Sequence, residues 1–412
     1  MKKNITKYLL LALACLGLQS CLFQEENYFD DSSANRATAD VSRCGELLKG
    51  APNGWVMEYY VGKDYSLGGI TLLCRFDGQR VTMASQMSEA DETVSSLYSV
   101  KSEQATMLSF DTYNYLVHYF GQPQGSMADD PNGTLGGDYE FVISDATADR
   151  IELKGKKYGN RIVMKAFSAD QTWKQYLTRI KKVEDDAFFY EYDLRMDGLY
   201  TGQMLRSNYT FIVTYYDEVG KVHQKTVPFM FTTDGMRFHE PVTIDGQTMQ
   251  NFVWKNEEIS FVCTDEGATE VKLAGVYTAG YQSYDYYPGT YQMDFYRLND
   301  ATNQMEVASQ EIQLVKDEDG KSYWLKGLEY DILVTYDKPR GGLSILPQFL
   351  KKVQGGYVYL AMWDLMNDYV LRSSAIGLIS YPTTDGIYLV DNGVWMGEIS
   401  GFIFGVYDSQ DE

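Results

Sequence analysis

Apolar and polar positions along the chain fall into distinct regimes. Lys2, Lys3 and Lys7 lead into an apolar run of eleven residues, Tyr8–Leu18, which ends at Gln19-Ser20-Cys21. That run is too short to cross a bilayer as a helix, so residues 1–20 read as an export signal. Residues 21–32, with Glu25, Glu26, Asp30 and Asp31, read as an acidic tether. Ala37, Val41, Cys44 and Leu48 then recur at three-and-four spacing. This predicts a helix capped by Ser32 or Ser33 and ended by Gly50 and Pro52.

From Trp55 the period changes to two. Trp55–Tyr60, Ile70–Phe76 and Arg80–Met83 are strand-like, and Asp77-Gly78 suits the tight turn of a hairpin. The alternation continues through Leu97–Val100, Met107–Phe110, Tyr115–Phe120, Tyr139–Ser144, Arg150–Lys154 and Arg161–Phe167. A meander of about eight or nine short strands can close into a barrel. The order Asn53-Gly54-Trp55, Phe76-Asp77-Gly78, Tyr98-Ser99-Val100 resembles lipocalin-like (calycin) barrels, so residues 33–167 are expected to form a helix plus such a barrel.

Ser168 with Gln171 forms a capping-box pattern, and Trp173, Leu177 and Ile180 share one face, predicting a connecting helix over 168–187. Strand patterns then resume through 188–412, with a possible sub-boundary near 275. With only nine prolines, repeated Asp-Gly turns and no alternating amphipathic helices, the expected fold class is mainly β. An N-terminal antiparallel barrel with flanking helices is followed by one or two further antiparallel β domains.

A small residue followed by Cys at the end of the export signal resembles the lipobox of bacterial lipoproteins, which implies acylation of Cys21 as the mature N-terminus. Cleavage after Ser20 without lipidation, an uncleaved anchor, or lipidation at Cys15 are the alternatives. Several acyl chains hold a protein on a membrane far more firmly than one. Leu22 does not match the Asp of an inner-membrane retention signal, and the acids of 25–31 loosely resemble the stretch that directs Bacteroidetes lipoproteins to the cell surface. Loss of Lys2, Lys3 and Lys7 with the leader takes the formal charge from −21 to −24. So acidic a body repels phosphate backbones and argues against nucleic acid partners.

Chemistry-bearing motifs are sparse. Cys44, Cys74 and Cys263 lack the spacing of a disulfide framework and read as small buried hydrophobes. His118, His223 and His239 are scattered, and no Gly-x-Ser-x-Gly nucleophile turn occurs. Asp317-Glu318-Asp319-Gly320 has the acid spacing of half a calcium loop, but Leu328 occupies the position of the bidentate Glu, so a hairpin turn is the better reading. The polar loop Met127–Asp138 lacks the Gly-Lys-Ser/Thr of a phosphate loop. No catalytic residue, metal site or cofactor is expected.

Tyrosine is the exception. The chain has 34 Tyr against 19 Phe, and Tyr277, Tyr281, Tyr284, Tyr286, Tyr287, Tyr291 and Tyr296 crowd one segment. A flat apolar ring with a hydroxyl suits sugars and mixed interfaces. Tyr284, Tyr286 and Tyr287 are therefore the candidate ligand-binding residues. The alternative is that such residues cover half-buried strand faces.

Ala51–Tyr60, Gly136–Phe141 and Thr335–Ser344 together resemble the Bacteroidetes lipoproteins grouped as domain of unknown function 4302, a likeness read over nearly the whole mature chain. The family has no established activity. Its genes often adjoin outer-membrane nutrient importers and a zinc-metallopeptidase-like protein, so the resemblance implies a surface accessory role in capturing or processing a nutrient. The expected protein is lipid-anchored on the outer membrane, exposed at the cell surface and non-catalytic. It would bind a glycan or peptide ligand, or a partner in an importer complex. A surface hydrolase acting on glycans or peptides, and a structural adhesin or assembly factor, are the rival readings.

Overall fold

The structure, a computed structural model, describes residues 32–123, 133–217, 219–299, 301–302, 304–383 and 386–408. The export signal, Cys21, the acidic tether up to Asp31 and residues 127–132 of the polar loop lie outside the described residues. The chain divides into two compact units. One contains the residues up to Lys63 and Thr71–Trp173; the other contains Asp64–Ile70 and Lys174 onward.

In the first unit Ser32 caps α1 (Ser33–Lys49), its Oγ accepting the Asn35 N–H at 3.1 Å. The helix buries Cys44 and Leu48 and stops at Gly50. Eight strands follow: β1 (Trp55–Val61), β2 (Gly68–Asp77), β3 (Arg80–Ser85), β4 (Val94–Ser102), β5 (Thr106–Phe110), β6 (Glu140–Ala146), β7 (Arg150–Gly155) and β8 (Arg161–Ala166). They form a closed antiparallel barrel, sealed where Trp55 of β1 stands opposite Ala166 of β8. The expected barrel is therefore present, with the Asp77-Gly78 turn joining β2 to β3.

Tyr59, Phe110 and Phe141 meet edge to face inside it, with ring centroids 6.0–6.1 Å apart. The Trp55 indole N–H donates to the Leu48 carbonyl at 2.8 Å, and Arg43 Nη1 donates to the Ala146 carbonyl at 2.9 Å. These bonds tie α1 to the barrel wall. Tyr115–Phe120, expected as a strand, instead contains the short helix α2 (Tyr115–His118). Asn114 accounts for the change, because its side chain accepts the Leu116 N–H at 3.1 Å and starts a helical turn.

The connecting helix α3 (Trp173–Asp186) begins five residues after the predicted Ser168. The Phe167 N–H still bonds the Gly54 carbonyl at 2.8 Å, which holds the chain in barrel register up to that point. Leu177, Ile180 and Val183 form its buried face.

Within the second unit comes a second eight-stranded closed barrel. Its strands are β9 (Glu191–Met196), β10 (Leu199–Ser207), β11 (Thr210–Tyr216), β12 (Val222–Phe231), β13 (Gly235–Ile244), β14 (Gln247–Lys255), β15 (Ser260–Cys263) and β16 (Lys272–Val276). Closure falls on β9, which pairs with both β10 and β16. Tyr192, Phe211, Phe229, Phe238 and Phe261 fill the interior, and Ile180 and Val183 of α3 join the same core. Gly235 is required by closeness: a Cβ there would sit 1.9 Å from the Phe252 carbonyl oxygen across the β13–β14 pair.

Eleven strands complete the chain: β17 (Gly289–Asn299), β18 (Gln304–Lys316), β19 (Ser322–Lys326), β20 (Ile332–Asp337), β21 (Gly342–Ile345), β22 (Gln348–Val353), β23 (Gly356–Asp364), β24 (Tyr369–Leu371), β25 (Leu378–Pro382), β26 (Ile387–Asp391) and β27 (Gly401–Tyr407). Seven form one antiparallel sheet, in the order β17-β18-β19-β20-β21-β25-β26. The other four form a second sheet with β23 in its middle, flanked by β22 and β24 on one side and β27 on the other. Leu314, Leu325 and Val334 of the larger sheet share a core with Leu360 and Met362 of the smaller one. The fold is thus mainly β throughout, as expected.

A candidate aromatic binding face

The three tyrosines singled out from the sequence do not share one surface. Tyr284 is half-buried, donates its hydroxyl to the Ser322 carbonyl at 2.8 Å and stacks on Tyr323 with centroids 4.7 Å apart. Tyr287 is 0% exposed and donates to the Gly341 carbonyl at 2.8 Å, whereas Tyr286 is 48% exposed. Tyr284 and Tyr287 therefore belong to a buried tyrosine cluster with Tyr323 and Tyr336, whose hydroxyls burial pushes well above the ordinary phenol range. Residues 277–288 form no strand, so alternation does not sort these rings into inner and outer. Each buried hydroxyl finds a carbonyl, which makes tyrosine tolerable where phenylalanine would be ordinary.

The smaller sheet of the sandwich carries a different cluster. Along β23, Val358, Leu360 and Met362 are buried toward the core, while Tyr357, Tyr359 and Trp363 take the alternate positions and remain partly exposed. Neighbouring strands add to the outer side. Phe349 of β22, 43% exposed, stands opposite Tyr359, and Tyr407 of β27 stands opposite Tyr357. The rings touch: Phe349 lies 5.5 Å from Tyr359 and 6.2 Å from Tyr357, and Tyr359 lies 5.9 Å from Tyr407.

Two cations belong to this face. Leu371 pairs with Met362, which brings Arg372 next to Ala361. Its guanidinium lies 4.4 Å from the Tyr407 ring centroid and 5.1 Å from that of Tyr359. Lys352, opposite Tyr357, places its Nζ 5.4 Å from that ring. Gly405, opposite Tyr359, leaves a gap beneath Tyr407: a Cβ there would meet the Tyr407 ring at 2.8 Å. Four rings on three adjacent rows of strand thus form one aromatic face with positive charge at its margin.

The fold places the far end of this face beside a well-braced loop. The Trp395 indole N–H donates to Asp364 Oδ2 at 2.9 Å, and Asn367 Nδ2 donates to the same oxygen at 2.9 Å. Those donors, Asn367 first, hold the Asp364 carboxyl below its ordinary range. Asp364 is fully buried and serves the loop, not the face.

Other candidate chemistry resolves into structure. Desolvation raises the pKa of the Asp138 carboxyl, yet it accepts the Lys157 and Tyr158 backbone N–H groups at 2.7 and 3.2 Å and so anchors that loop. Cys44, Cys74 and Cys263 are free and buried, and burial pushes the Cys263 thiol up to about 11. Asp317–Gly320 forms the turn between β18 and β19, where Asp319 Oδ1 accepts the N–H groups of Lys321 and Ser322 at 2.7 and 2.9 Å. A cleft of about 490 Å³ opens between α1 and β4, but Glu46 and Lys49 on its wall pair with each other at 2.7 Å.

With a packed first barrel, a packed second barrel and an aromatic-faced sandwich in view, the class is that of a multidomain β protein. The chain belongs to the family described as domain of unknown function (DUF4302), whose model matches residues 25–256. A second model, a domain of unknown function (DUF4987), matches residues 264–394. The likeness to the first family therefore stops short of the C-terminal third, and Thr335–Ser344 falls within the second match. The first match ends after β14, before the two strands that close the second barrel. A search of curated proteins gives no match. Among solved structures, a botulinum neurotoxin type G receptor binding domain aligns at 8% identity, over 79% of this chain and 73% of that one, with a TM-score of 0.11. So low a score carries no argument.

The contrast between the neighbouring tyrosines is testable by denaturant unfolding. Tyr287→Ala should cost about 3–5 kcal/mol, because it empties a buried aromatic site. Tyr286→Ala should change stability by no more than roughly 0.5 kcal/mol. Equal effects would contradict the assignment of Tyr287 to the core.

Proposed function

We propose that this is a non-catalytic, lipid-anchored protein of the outer-membrane surface that collects a glycan on its aromatic face as an accessory to a nutrient importer. The observation that carries the glycan reading is the contact cluster of Phe349, Tyr357, Tyr359 and Tyr407 on the exposed side of one sheet. Aromatic rings on a sheet face offer flat apolar surface, and phenolic hydroxyls at their rims offer hydrogen bonds; a sugar presents the matching combination. A peptide recognised by strand addition would instead use the backbone of a sheet edge, with side chains in alternate pockets. Anchoring is supported by Tyr8–Leu18 and the Ser20-Cys21 junction, and the importer partnership by the lipoprotein resemblance.

Two measurements test this reading. Metabolic labelling with palmitate should mark the wild-type protein in the outer-membrane fraction and leave Cys21→Ser unlabelled; an unmodified thiol at Cys21 would remove the anchor. On a glycan array the protein should bind at least one glycan class. Tyr359→Ala with Tyr407→Ala should weaken that binding tenfold or more, the scale of a central aromatic contact of about 1.4 kcal/mol or above. Far-UV circular dichroism should stay unchanged. Binding that survives the double substitution would refute the face.

A further inference from the structure

Charge on the smaller sheet runs against the charge of the whole protein. The chain holds 57 Asp and Glu against 36 Lys and Arg. Yet strands β22, β23, β24 and β27 together contain one carboxylate, Asp364, and it is buried on the core side with Trp395 and Asn367 on its oxygens. The nearest acid beyond them on the Tyr407 side, Asp408, stands one residue past β27. Lys352 and Arg372 lie against the rings. Among the described residues no carboxylate lies within ion-pairing distance of Lys351 or Lys352.

We propose that the aromatic face selects a glycan containing uronic acid: pyranose rings lie on Tyr357, Tyr359 and Tyr407 while Lys352 and Arg372 meet the sugar carboxylate. This rests on the glycan-binding reading above. A guanidinium placed against two rings is positioned before ligand arrives, and its planar donors match a carboxylate. The ligand's charge density follows from the rest of the protein. At physiological salt the Debye length is about 8 Å, so a carboxylate within the face senses chiefly the local cations. An anionic polymer long enough to leave the face, such as a nucleic acid or a highly sulfated chain, also crosses the surrounding acidic surface and is repelled there. Tyr357 to Trp363 spans roughly 20 Å of strand, at about 3.3 Å per residue, which suits a short oligosaccharide.

Calorimetric titration of the full-length, detergent-solubilised protein tests the inference. The probes are oligogalacturonate, the same oligosaccharide after reduction of its carboxyl groups, and single-stranded oligothymidylate. Oligogalacturonate should bind about tenfold tighter than its reduced form, and added salt should narrow that gap. Lys352→Gln and Arg372→Gln should each narrow the difference between the two forms, and the double substitution should abolish it. Equal binding of the two oligosaccharides would overturn carboxylate selection and leave the glycan face standing. Binding of neither would overturn the uronic-acid inference, and a blank glycan array beside it would overturn the glycan reading as well. Preference for oligothymidylate would overturn them in favour of a nucleic acid.

Discussion

The two-residue period of strand β23 is the constraint on which this protein's surface depends. Leu360 and Met362 must enter the sandwich core, where they join Leu314, Leu325 and Val334 of the opposing sheet. A slip of one residue would exchange the two faces of the strand. Burial of the aliphatic side therefore fixes Tyr357, Tyr359 and Trp363 on the other. Neighbouring strands inherit the register, which brings Phe349 and Tyr407 alongside. The aromatic face is the reverse of the hydrophobic core, positioned by the same packing.

The two barrels make a different use of that alternation. In each, closure removes exposed sheet edges, and bulky side chains occupy the space a ligand would need. Tyr59, Phe110 and Phe141 do this in the first barrel, and Phe211, Phe229 and Phe261 in the second. A lipocalin-like likeness would suggest an internal ligand, but these interiors are packed. The accessible rings lie instead on an open sheet, which is where the proposed recognition falls.

Much of the architecture was legible in the residues. The helix ending at Gly50, the Asp77-Gly78 hairpin and the period of two from Trp55 lead directly to α1 and the first barrel. Local hydrogen bonding shifts the details, as at Asn114 and at the start of α3. The aromatic face was not legible, because its rings come from positions 349 to 407 and linear order does not reveal which strands adjoin. The dense tyrosine run around Tyr284 is conspicuous in the sequence, but hydroxyl-to-carbonyl bonds to Ser322 and Gly341 carry Tyr284 and Tyr287 inward. One signal was available: Gly342–Trp363 contains no Asp or Glu in an otherwise acidic chain, and it holds Lys351, Lys352 and the Tyr357-x-Tyr359 pair.

Hydroxyl-radical footprinting with and without saturating oligosaccharide reads the location of the ligand directly. The account predicts protection concentrated on Phe349, Tyr357, Tyr359 and Tyr407, with Tyr200, Tyr216 and Tyr286 modified equally in both states. Protection at Tyr200 and Tyr216 on the second barrel, or at Tyr286, with the sheet face unchanged, would contradict it.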